Sequence, residues 1–308
     1  MSVYTTFDLK TLETFLENYS LGELITYRGI SGGITNTNYF VDTTHGRYVL
    51  TIFEQLKAEE LPFYLNLTLF LNQHQIACPA PVPQINGKLF GFLKHKPAIL
   101  VTCLNGSAVE YPNEQQCFNV GAMLAKMHVE STYFSQTMSN PRYKLWWNNK
   151  SNQLFNLLPR NDQLLLKDEL NFLNNHMIEN LPNGIIHADL FRDNVLIYNN
   201  EVAGFIDFYY ACNGLFIYDL AITINDWSRT QENTINIEQE KAILAGYERI
   251  RALTDQEKEY FLIAKRSAAI RFWISRLLDF HFPVSGEITF TKNPDDFRNL
   301  LLFYRQKN

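Results

Sequence analysis

The stretch "IIHADLFRDNVLI", residues 185–197, places five polar side chains between two apolar runs. Three of them follow the spacing His-x-Asp-x-x-x-x-Asn, from His187 through Asp189 to Asn194. A core strand does not carry charged groups at this density, because a buried charge costs free energy unless it is paired. The stretch therefore indicates a functional loop.

A second acidic position lies thirteen residues after Asn194, where the apolar segment "GFIDF" contains Asp207. The segments "NVLIY" and "EVAGFIDFYY", separated by "NN", predict a hairpin directly after the loop. The hairpin would bring two carboxylates and an amide to one edge. Such a set suits phosphoryl transfer, because one carboxylate can meet a nucleophilic hydroxyl while Asn194 and Asp207 supply the hard oxygen ligands that Mg²⁺ prefers.

The amino-acid composition limits which kinds of protein and partner are compatible with the sequence. The chain has 308 residues, of which 46% are hydrophobic and 19% charged, so it can bury a sizeable core as one large domain or two lobes. The net charge of −5 argues against nucleic acid or an anionic membrane as the main partner and favours a small molecule. Four scattered cysteines without a CxxC pair, no signal-like N-terminus and no apolar segment near 20 residues predict a cytoplasmic protein.

The order of predicted elements indicates an α+β protein with two lobes. Three antiparallel strands are predicted from Leu24 to Glu54, a helix from Glu59 to Gln75 and two short strands from Lys88 to Leu104. Beyond "NGS" the pattern is mainly helical, with long helices over about 238–282. We therefore predict an N-terminal antiparallel-sheet lobe with one main helix over 1–104, and a larger, mainly helical lobe over 105–308.

These motifs resemble a known family. The pair "HADLFRDNVLI" and "GFIDF" is similar to the catalytic and metal-binding loops of the aminoglycoside phosphotransferase superfamily, whose fold is protein-kinase-like. Within it, the chain resembles bacterial homoserine kinases through segments that span both predicted lobes: "MSVYT" at the start, "GISGGITNTNYF" at 29–40, "YVLTIFE" at 48–54, "HADLFRDNVL", and "IDFYYACNGLFIYDLAITINDW" at 206–227. The resemblance implies a two-lobed kinase with a nucleotide-binding first lobe that ends in a hinge.

The resemblance also implies a role for each matching position. Asp189 would be the catalytic base or the group that orients the hydroxyl, and Asn194 and Asp207 would bind Mg²⁺. His187 would hold the loop in shape without joining the chemistry. Arg192, in the same loop, is a candidate from substrate chemistry and not from the resemblance: it would meet either the acceptor or the transferred phosphoryl group.

Two segments are predicted to bind ATP. The glycine-rich segment between the first two strands lets backbone amides approach phosphates without a Cβ in the way, with side chains as additional donors. The strand and hinge "PAILVTCLNG" would meet adenine. The predicted ATP-binding residues are Ser31, Gly32, Gly33, Thr35, Asn36, Thr102 and Leu104.

One position departs from the superfamily pattern. Kinase-like folds usually carry a lysine on the third strand, paired with a helix glutamate, but "YVLTIFE" has Thr51 there, as the homoserine kinases tend to. Lys57 and Arg47 are nearby candidates for gripping the phosphates, and Glu60 for the helix glutamate. The group that replaces the lysine stays open.

The acceptor pocket is predicted from substrate chemistry. A homoserine-like acceptor brings a carboxylate, an ammonium and a hydroxyl, so its pocket needs a cation and an acceptor group. Candidates for the cation are Arg192, Arg266, Arg271 and Arg276; candidates for meeting the ammonium are Asp226, Tyr209 and Tyr210.

The function predicted from these features is the Mg-ATP-dependent phosphorylation of the side-chain hydroxyl of L-homoserine, a step toward threonine, by a monomer or homodimer. The alternative is the same chemistry on another small alcohol, such as choline, methylthioribose or an aminoglycoside. A catalytically dead binding relative is disfavoured, because Asp189, Asn194 and Asp207 are all present.

Overall fold

The computed structural model describes four stretches of the chain, residues 4–30, 36–176, 180–283 and 292–307. Within them the chain divides into two compact units. Unit 1 extends to Asn105, and unit 2 comprises Gly106–Pro283 together with the C-terminal helix. The division lies one residue from the predicted boundary after Leu104, and the assignment of nucleotide binding to the first unit remains a prediction.

Unit 1 contains a five-stranded antiparallel sheet in the order β1-β2-β3-β5-β4. Its first three strands form the predicted meander, in which consecutive antiparallel strands pair with each other. The strand bounds are Leu24–Gly29 for β1, Thr37–Thr43 for β2, Gly46–Ile52 for β3, Gly91–Leu93 for β4 and Lys96–Thr102 for β5.

One face of this sheet forms the core of unit 1 with a short helix, α1 (Leu9–Leu16). Alternation along the strands puts apolar residues on this face, where Leu50 pairs with Leu100 in the neighbouring strand. Asp8 caps α1 by accepting the Thr11 N–H at 2.8 Å. Helix α1 was not predicted. The predicted helix is α2, Leu61–Gln73, whose first turn contains a proline.

Unit 2 is mainly helical, as predicted. Its helices are α3 (Glu114–Ser131), α4 (Lys144–Leu154), α5 (Arg160–His176), α6 (Phe216–Trp227), α7 (Ile237–Glu248), α8 (Asp255–His281) and α9 (Asp295–Arg305). Helices α3 and α7 touch backbone to backbone, since a Cβ on Gly121 would lie 2.1 Å from the carbonyl oxygen of Ile243. No helix in the described stretches is long and apolar enough to cross a membrane.

Two short strand pairs in unit 2 carry the predicted functional loops. Strands β7 (Val195–Tyr198) and β8 (Glu201–Phe205) form the predicted hairpin, and Asn199 and Asn200 turn it with φ angles of +50° and +68°. Strands β6 (Asn183–Ile186) and β9 (Cys212–Leu215) form a second antiparallel pair. The His-x-Asp loop therefore joins β6 to β7, and Asp207 follows β8.

All four cysteines are free thiols, as the absence of paired motifs predicted. Cys78, Cys117 and Cys212 are buried, and burial raises the pKa of each thiol to about 12. These thiols remain protonated and behave as small apolar side chains.

Candidate active site

The loop after β6 is fixed by His187. The His187 side chain is buried, and its Nε2 lies 2.9 Å from the carbonyl oxygen of Ile206, which can only accept. Burial lowers the pKa of His187, so the ring is neutral and donates through Nε2. This hydrogen bond ties the loop to the residue before Asp207, which is the structural role predicted for His187.

Asp219, in the first turn of α6, holds the same loop through hydrogen bonds to its backbone. Its carboxylate accepts the backbone N–H groups of His187 at 2.7 Å and Ala188 at 2.8 Å, and lies 3.0 Å from His128 Nε2. Burial alone would raise the pKa of Asp219, but the hydrogen bond and charge of His128 outweigh it and leave the pKa below its usual value. The ionised carboxylate therefore fixes a loop that includes Ala188 in the left-handed conformation, at φ +62°.

Asp219→Ala is expected to lower the free energy of unfolding by about 3–5 kcal/mol, because it leaves two buried backbone donors and the His128 ring without their acceptor. Urea denaturation followed by circular dichroism measures the change. Asp193→Ala is the control, since its side chain is 56% exposed and pairs with Lys292 at the surface. The control should lose under about 1 kcal/mol; equal losses in both variants would remove Asp219 from this role.

Asp189 is held by one contact at each carboxylate oxygen. Oδ2 accepts from Asn194 Nδ2 at 3.1 Å, and Oδ1 lies 3.4 Å from Nη1 of Arg271 in α8. Burial raises the pKa of Asp189, and the charge of Arg271 opposes that rise. The side chain keeps 19% of its surface exposed, so an incoming hydroxyl can reach an oriented carboxylate.

Asp207 lies beside the Asp189–Asn194 loop in the left-handed conformation, at φ 62° and ψ 57°. The N–H of the preceding Ile206 donates to the carbonyl oxygen of Asn194 at 2.9 Å, so the two predicted metal ligands are neighbours across the hairpin. Burial, followed by the charges of Asp189 and Asp193, raises the pKa of Asp207 to about 7. Asp207 is therefore a buried carboxylate with two others nearby, and a bound cation would stabilise its ionised form.

The residues present fit a Mg²⁺ ion shared with phosphates. The Asn194 amide nitrogen donates to the Asp189 carbonyl oxygen at 2.8 Å, so the hard acceptor that Asn194 offers a metal is its amide oxygen. Mg²⁺ commonly takes one or two carboxylate or amide ligands from the protein and completes its shell with water and phosphate oxygens. No group of three His, Cys, Asp or Glu side chains suited to hold a metal occurs in the described stretches, so a dedicated protein cage is not present there.

Arg192 and Asp226, predicted near the acceptor, pair with each other. Asp226 Oδ2 accepts from the backbone N–H of Arg192 at 2.8 Å and from its Nε at 3.1 Å, and Nη1 donates to the carbonyl oxygen of Glu110 at 2.6 Å. Burial alone would raise the pKa of Asp226, but the opposing effect of the Arg192 charge and its hydrogen bond is larger, so the pKa lies below its usual value. Their roles toward phosphoryl group and ammonium stay predictions.

Two other predicted arginines are engaged elsewhere in unit 2. Arg276 donates to Asp296 at 2.6 Å and to the carbonyl oxygen of Asn293, and Arg266 pairs with both oxygens of buried Glu169 at 2.8 and 2.7 Å. These pairs link α8 to α9 and to α5. Nothing in these contacts brings either guanidinium to Asp189.

Arg271 is the predicted cation that reaches the catalytic loop. It is 2% exposed and lines a small cavity next to Asp189. The cavity is built from separate segments of unit 2, and its lining residues are Asn140, Pro141, Arg142, Ala188, Tyr210, Tyr218 and Arg271. Tyr209 instead interacts with the Asp207 carboxylate through its backbone N–H.

Sequence reasoning missed Arg142 and Tyr218 in this cavity. Arg142 lies in the loop before α4, and its guanidinium stacks 4.2 Å from the centre of the Tyr210 ring. No periodicity singles it out. The available signal was the segment "NPRYKLWW", which places an arginine after a proline and among aromatic residues.

The predicted ATP-binding residues are only partly described. Ser31, Gly32, Gly33 and Thr35 lie outside the described residues. Asn36 is buried just before β2. Thr102 hydrogen-bonds Ala80 through both its backbone N–H and its hydroxyl, and Leu104 is partly exposed. Their contacts to nucleotide stay predictions.

Thr51 occupies the strand position where kinase-like folds usually carry lysine. It lies on β3, and its hydroxyl donates to Asn38 Oδ1 at 2.7 Å. Glu60 accepts the backbone N–H of Lys57 at 3.0 Å, while Arg47 pairs with Asp42 at 2.5 Å on the surface. Glu60 and Arg47 are thus engaged in local contacts, and the phosphate-gripping group stays open.

Comparison with curated sequences gives full-length relatives. A family model described as APH, phosphotransferase enzyme family, matches residues 26–253. A homoserine kinase of Neisseria meningitidis serogroup B is 52% identical over 98% of this chain and 99% of the relative. A homoserine kinase of Methylobacillus flagellatus is 44% identical over 98% of this chain and 94% of the relative.

Comparison with solved structures gives the same fold at low identity. An amicoumacin kinase in complex with AMP-PNP, Ca²⁺ and amicoumacin aligns with a TM-score of 0.73 at 16% identity over 97% of this chain and 93% of the other. A choline kinase from Cryptosporidium parvum aligns with a TM-score of 0.69 at 13% identity over 97% and 95%. The predicted protein-kinase-like α+β fold is confirmed.

Proposed function

The chain belongs to the homoserine kinase family of phosphotransferase enzymes, and we propose on this premise that it transfers the terminal phosphoryl group of ATP to the side-chain hydroxyl of L-homoserine. The product is O-phospho-L-homoserine, a step toward threonine. One observation carries the assignment of the site. Asp189, on a loop locked by His187 and Asp219, lies beside the Asn194–Asp207 pair.

In the proposed reaction Asp189 accepts a hydrogen bond from the hydroxyl and aligns its oxygen with the terminal phosphorus. A new O–P bond forms while the bond from that phosphorus to the β–γ bridging oxygen breaks, and ADP leaves with that electron pair. The hydroxyl proton passes to Asp189. A strongly basic carboxylate is unnecessary, because in a loose transition state the proton leaves late and positioning supplies most of the rate.

Asn194 and Asp207 are proposed to hold Mg²⁺, which when bound neutralises charge on the nucleotide phosphates. Support comes from the amide group of Asn194, whose nitrogen is used by the Asp189 carbonyl oxygen and whose oxygen is a hard acceptor, and from Asp207, a buried carboxylate near those of Asp189 and Asp193. The segment at 31–36 and the residues Thr102 and Leu104 are proposed to contact the nucleotide. We also propose a cytoplasmic location, from the scattered cysteines and the apolar segments too short to span a membrane, and a monomer or homodimer.

The proposal is tested by measuring ADP release with homoserine, serine, threonine, choline, methylthioribose and kanamycin, each with and without Mg²⁺. We expect homoserine to give the highest kcat/KM, and turnover to vanish when EDTA removes the metal. Phosphorylated product is identified by mass spectrometry, which separates transfer from ATP hydrolysis. Turnover with homoserine no higher than in the reaction without acceptor would refute the substrate assignment.

A further inference from the structure

We infer that the cavity beside Asp189 binds the α-carboxylate of the acceptor, with Arg142 and Arg271 as its cations and Tyr218 as a neutral donor. The inference rests on the proposed function for the identity of the acceptor as an amino acid. It adds a recognition site for one chemical group of that acceptor. The observations that carry it are the convergence of these three side chains, their charge and the position of Asp189.

The two arginines reach one cavity from different elements. Arg271 comes from α8 and is buried, and Arg142 comes from the loop before α4. Arg271 lies 3.7 Å from the centre of the Phe272 ring, while Arg142 stacks on Tyr210 and donates to its hydroxyl at 3.2 Å. Aromatic surfaces thus hold both guanidinium groups in place before any ligand arrives, which reduces the entropy lost on binding.

Positive charge in the cavity exceeds the negative charge that faces it. The carboxylate that meets Arg271 is that of Asp189, at 3.4 Å, a long contact for an ion pair. The Arg142 guanidinium contacts two neutral hydroxyls, of Tyr210 and Ser275, and among the described residues no carboxylate lies within ion-pair distance of it. Burial, and then the charge of Arg142, lower the pKa of Arg271. An anion between the arginines would offset this repulsion.

Tyr218 adds a hydroxyl donor to the residues that line the cavity. Its ring is 4% exposed, it lines the cavity, and its hydroxyl has no hydrogen-bond partner among the residues that the structure describes. A buried hydroxyl without a partner costs free energy, which a carboxylate oxygen would recover. Burial raises the pKa of Tyr218, so the hydroxyl keeps its proton and would donate it in a hydrogen bond to an anion.

The length of homoserine allows one molecule to extend from the cavity to Asp189. The hydroxyl oxygen of homoserine is four bonds from its carboxylate carbon, a reach of about 5 Å at ordinary bond lengths. Arg271 borders both the cavity and Asp189, so a carboxylate held by Arg271 and Arg142 leaves the hydroxyl beside Asp189. Choline or a polycationic aminoglycoside would place positive charge against two arginines, which disfavours both as acceptors.

The experiment compares two acceptors that differ by one group. L-homoserine carries the carboxylate, and 3-aminopropan-1-ol keeps the amine and the hydroxyl without it. We expect Arg142→Met to raise KM for homoserine about 100-fold, the loss for a charge-assisted hydrogen bond, while kcat/KM for 3-aminopropan-1-ol changes less than about 3-fold. Tyr218→Phe should raise KM for homoserine about 10-fold, and Arg142→Lys should restore part of the affinity.

Arg249→Met is the matched control, since Arg249 is an exposed arginine that also lies over an aromatic ring, that of Phe118, away from the cavity. It should leave KM for homoserine unchanged. Unchanged KM in Arg142→Met, or equal kcat/KM of the wild type for the two acceptors, would overturn the inference. Circular dichroism of each variant confirms that it folds.

A binding measurement separates this inference from the proposed function. L-2-aminobutyrate has the homoserine skeleton without the hydroxyl, so it cannot be phosphorylated, and calorimetry reports its affinity directly. Binding by the wild type that Arg142→Met weakens about 100-fold supports the site, even if homoserine is not turned over and the proposed function fails. Absence of binding by the wild type, or equal binding by Arg142→Met, overturns the inference while leaving kinase activity on homoserine intact as a finding.

Discussion

Asp189→Asn is expected to lower kcat for homoserine phosphorylation by at least about 10³-fold while changing the affinity for ATP less than about 3-fold. The amide has nearly the same size as the carboxylate, so the loop and its contact with Asn194 should persist. It cannot take the hydroxyl proton, and it carries no charge to face Arg271, which lies 3.4 Å away. The loss therefore falls on the chemical step.

Single-turnover kinetics measure the chemical step for this variant, and fluorescence titration with a nucleotide analogue measures binding. Asp193→Asn is the control, because Asp193 lies four residues further along the same loop and its exposed side chain pairs with Lys292. The control should retain activity within about 3-fold. If Asp189→Asn turns over as fast as this control, Asp189 has no part in the chemistry.

Asp207→Asn is expected to lower kcat/KM at least about 10³-fold and to raise the Mg²⁺ concentration needed for half-maximal rate. The physical reason is the loss of a buried anionic ligand that lies near the carboxylates of Asp189 and Asp193. A neutral amide oxygen binds a hard divalent cation far more weakly than a carboxylate does. The effect exceeds that expected from a single neutral hydrogen bond, because the metal compensates charge on the phosphates.

The measurement is a Mg²⁺ titration of the initial rate at fixed ATP. Glu201→Gln removes an exposed carboxylate from the same hairpin, where it accepts from Asn119 at 2.9 Å, and should give the wild-type Mg²⁺ dependence. A wild-type Mg²⁺ dependence in Asp207→Asn as well would move the metal site elsewhere.

The parts of this molecule that could be predicted from sequence are those whose signals are local. The pair Asn199–Asn200 predicts the β7–β8 hairpin, because asparagine tolerates the positive φ angles that both turn positions adopt. Segments rich in Tyr, Val, Ile and Thr, separated by the "SGG" and "HG" turns, predict β1 to β3. The catalytic-loop motif is likewise recognised from the spacing of His187, Asp189 and Asn194 alone. Such patterns need no knowledge of distant residues.

What could not be predicted depends on contacts between distant parts of the chain. Asp219 reads as a helix-cap residue, yet it accepts two backbone donors 31 and 32 residues away. Arg142 lies 68 residues from Tyr210, and only the folded chain stacks them. The partners of Arg192, Arg266 and Arg276 were equally hidden, because a lone arginine gives no sign of which carboxylate it will meet.

Helix α1 shows a different limit. It has 8 residues, too few for a periodic pattern to stand out from chance, and an isolated helix of that length is unstable in water. Its stability comes from Leu12 and Phe15, which are buried against the sheet of unit 1. Packing, and not local propensity, decides that this segment is helical.

The left-handed backbone of Ala188 affects which residues the loop can accept at this position. A non-glycine residue held at φ +62° costs about 1 kcal/mol or more, and here the grip of Asp219 on the adjacent amides compensates. Glycine would remove that cost, but it would also raise the conformational entropy of the loop in the unfolded state and in locally opened states. Alanine at this position therefore costs some folding free energy but narrows the range of loop conformations next to Asp189. That cost is offset only while the Asp219 carboxylate is present.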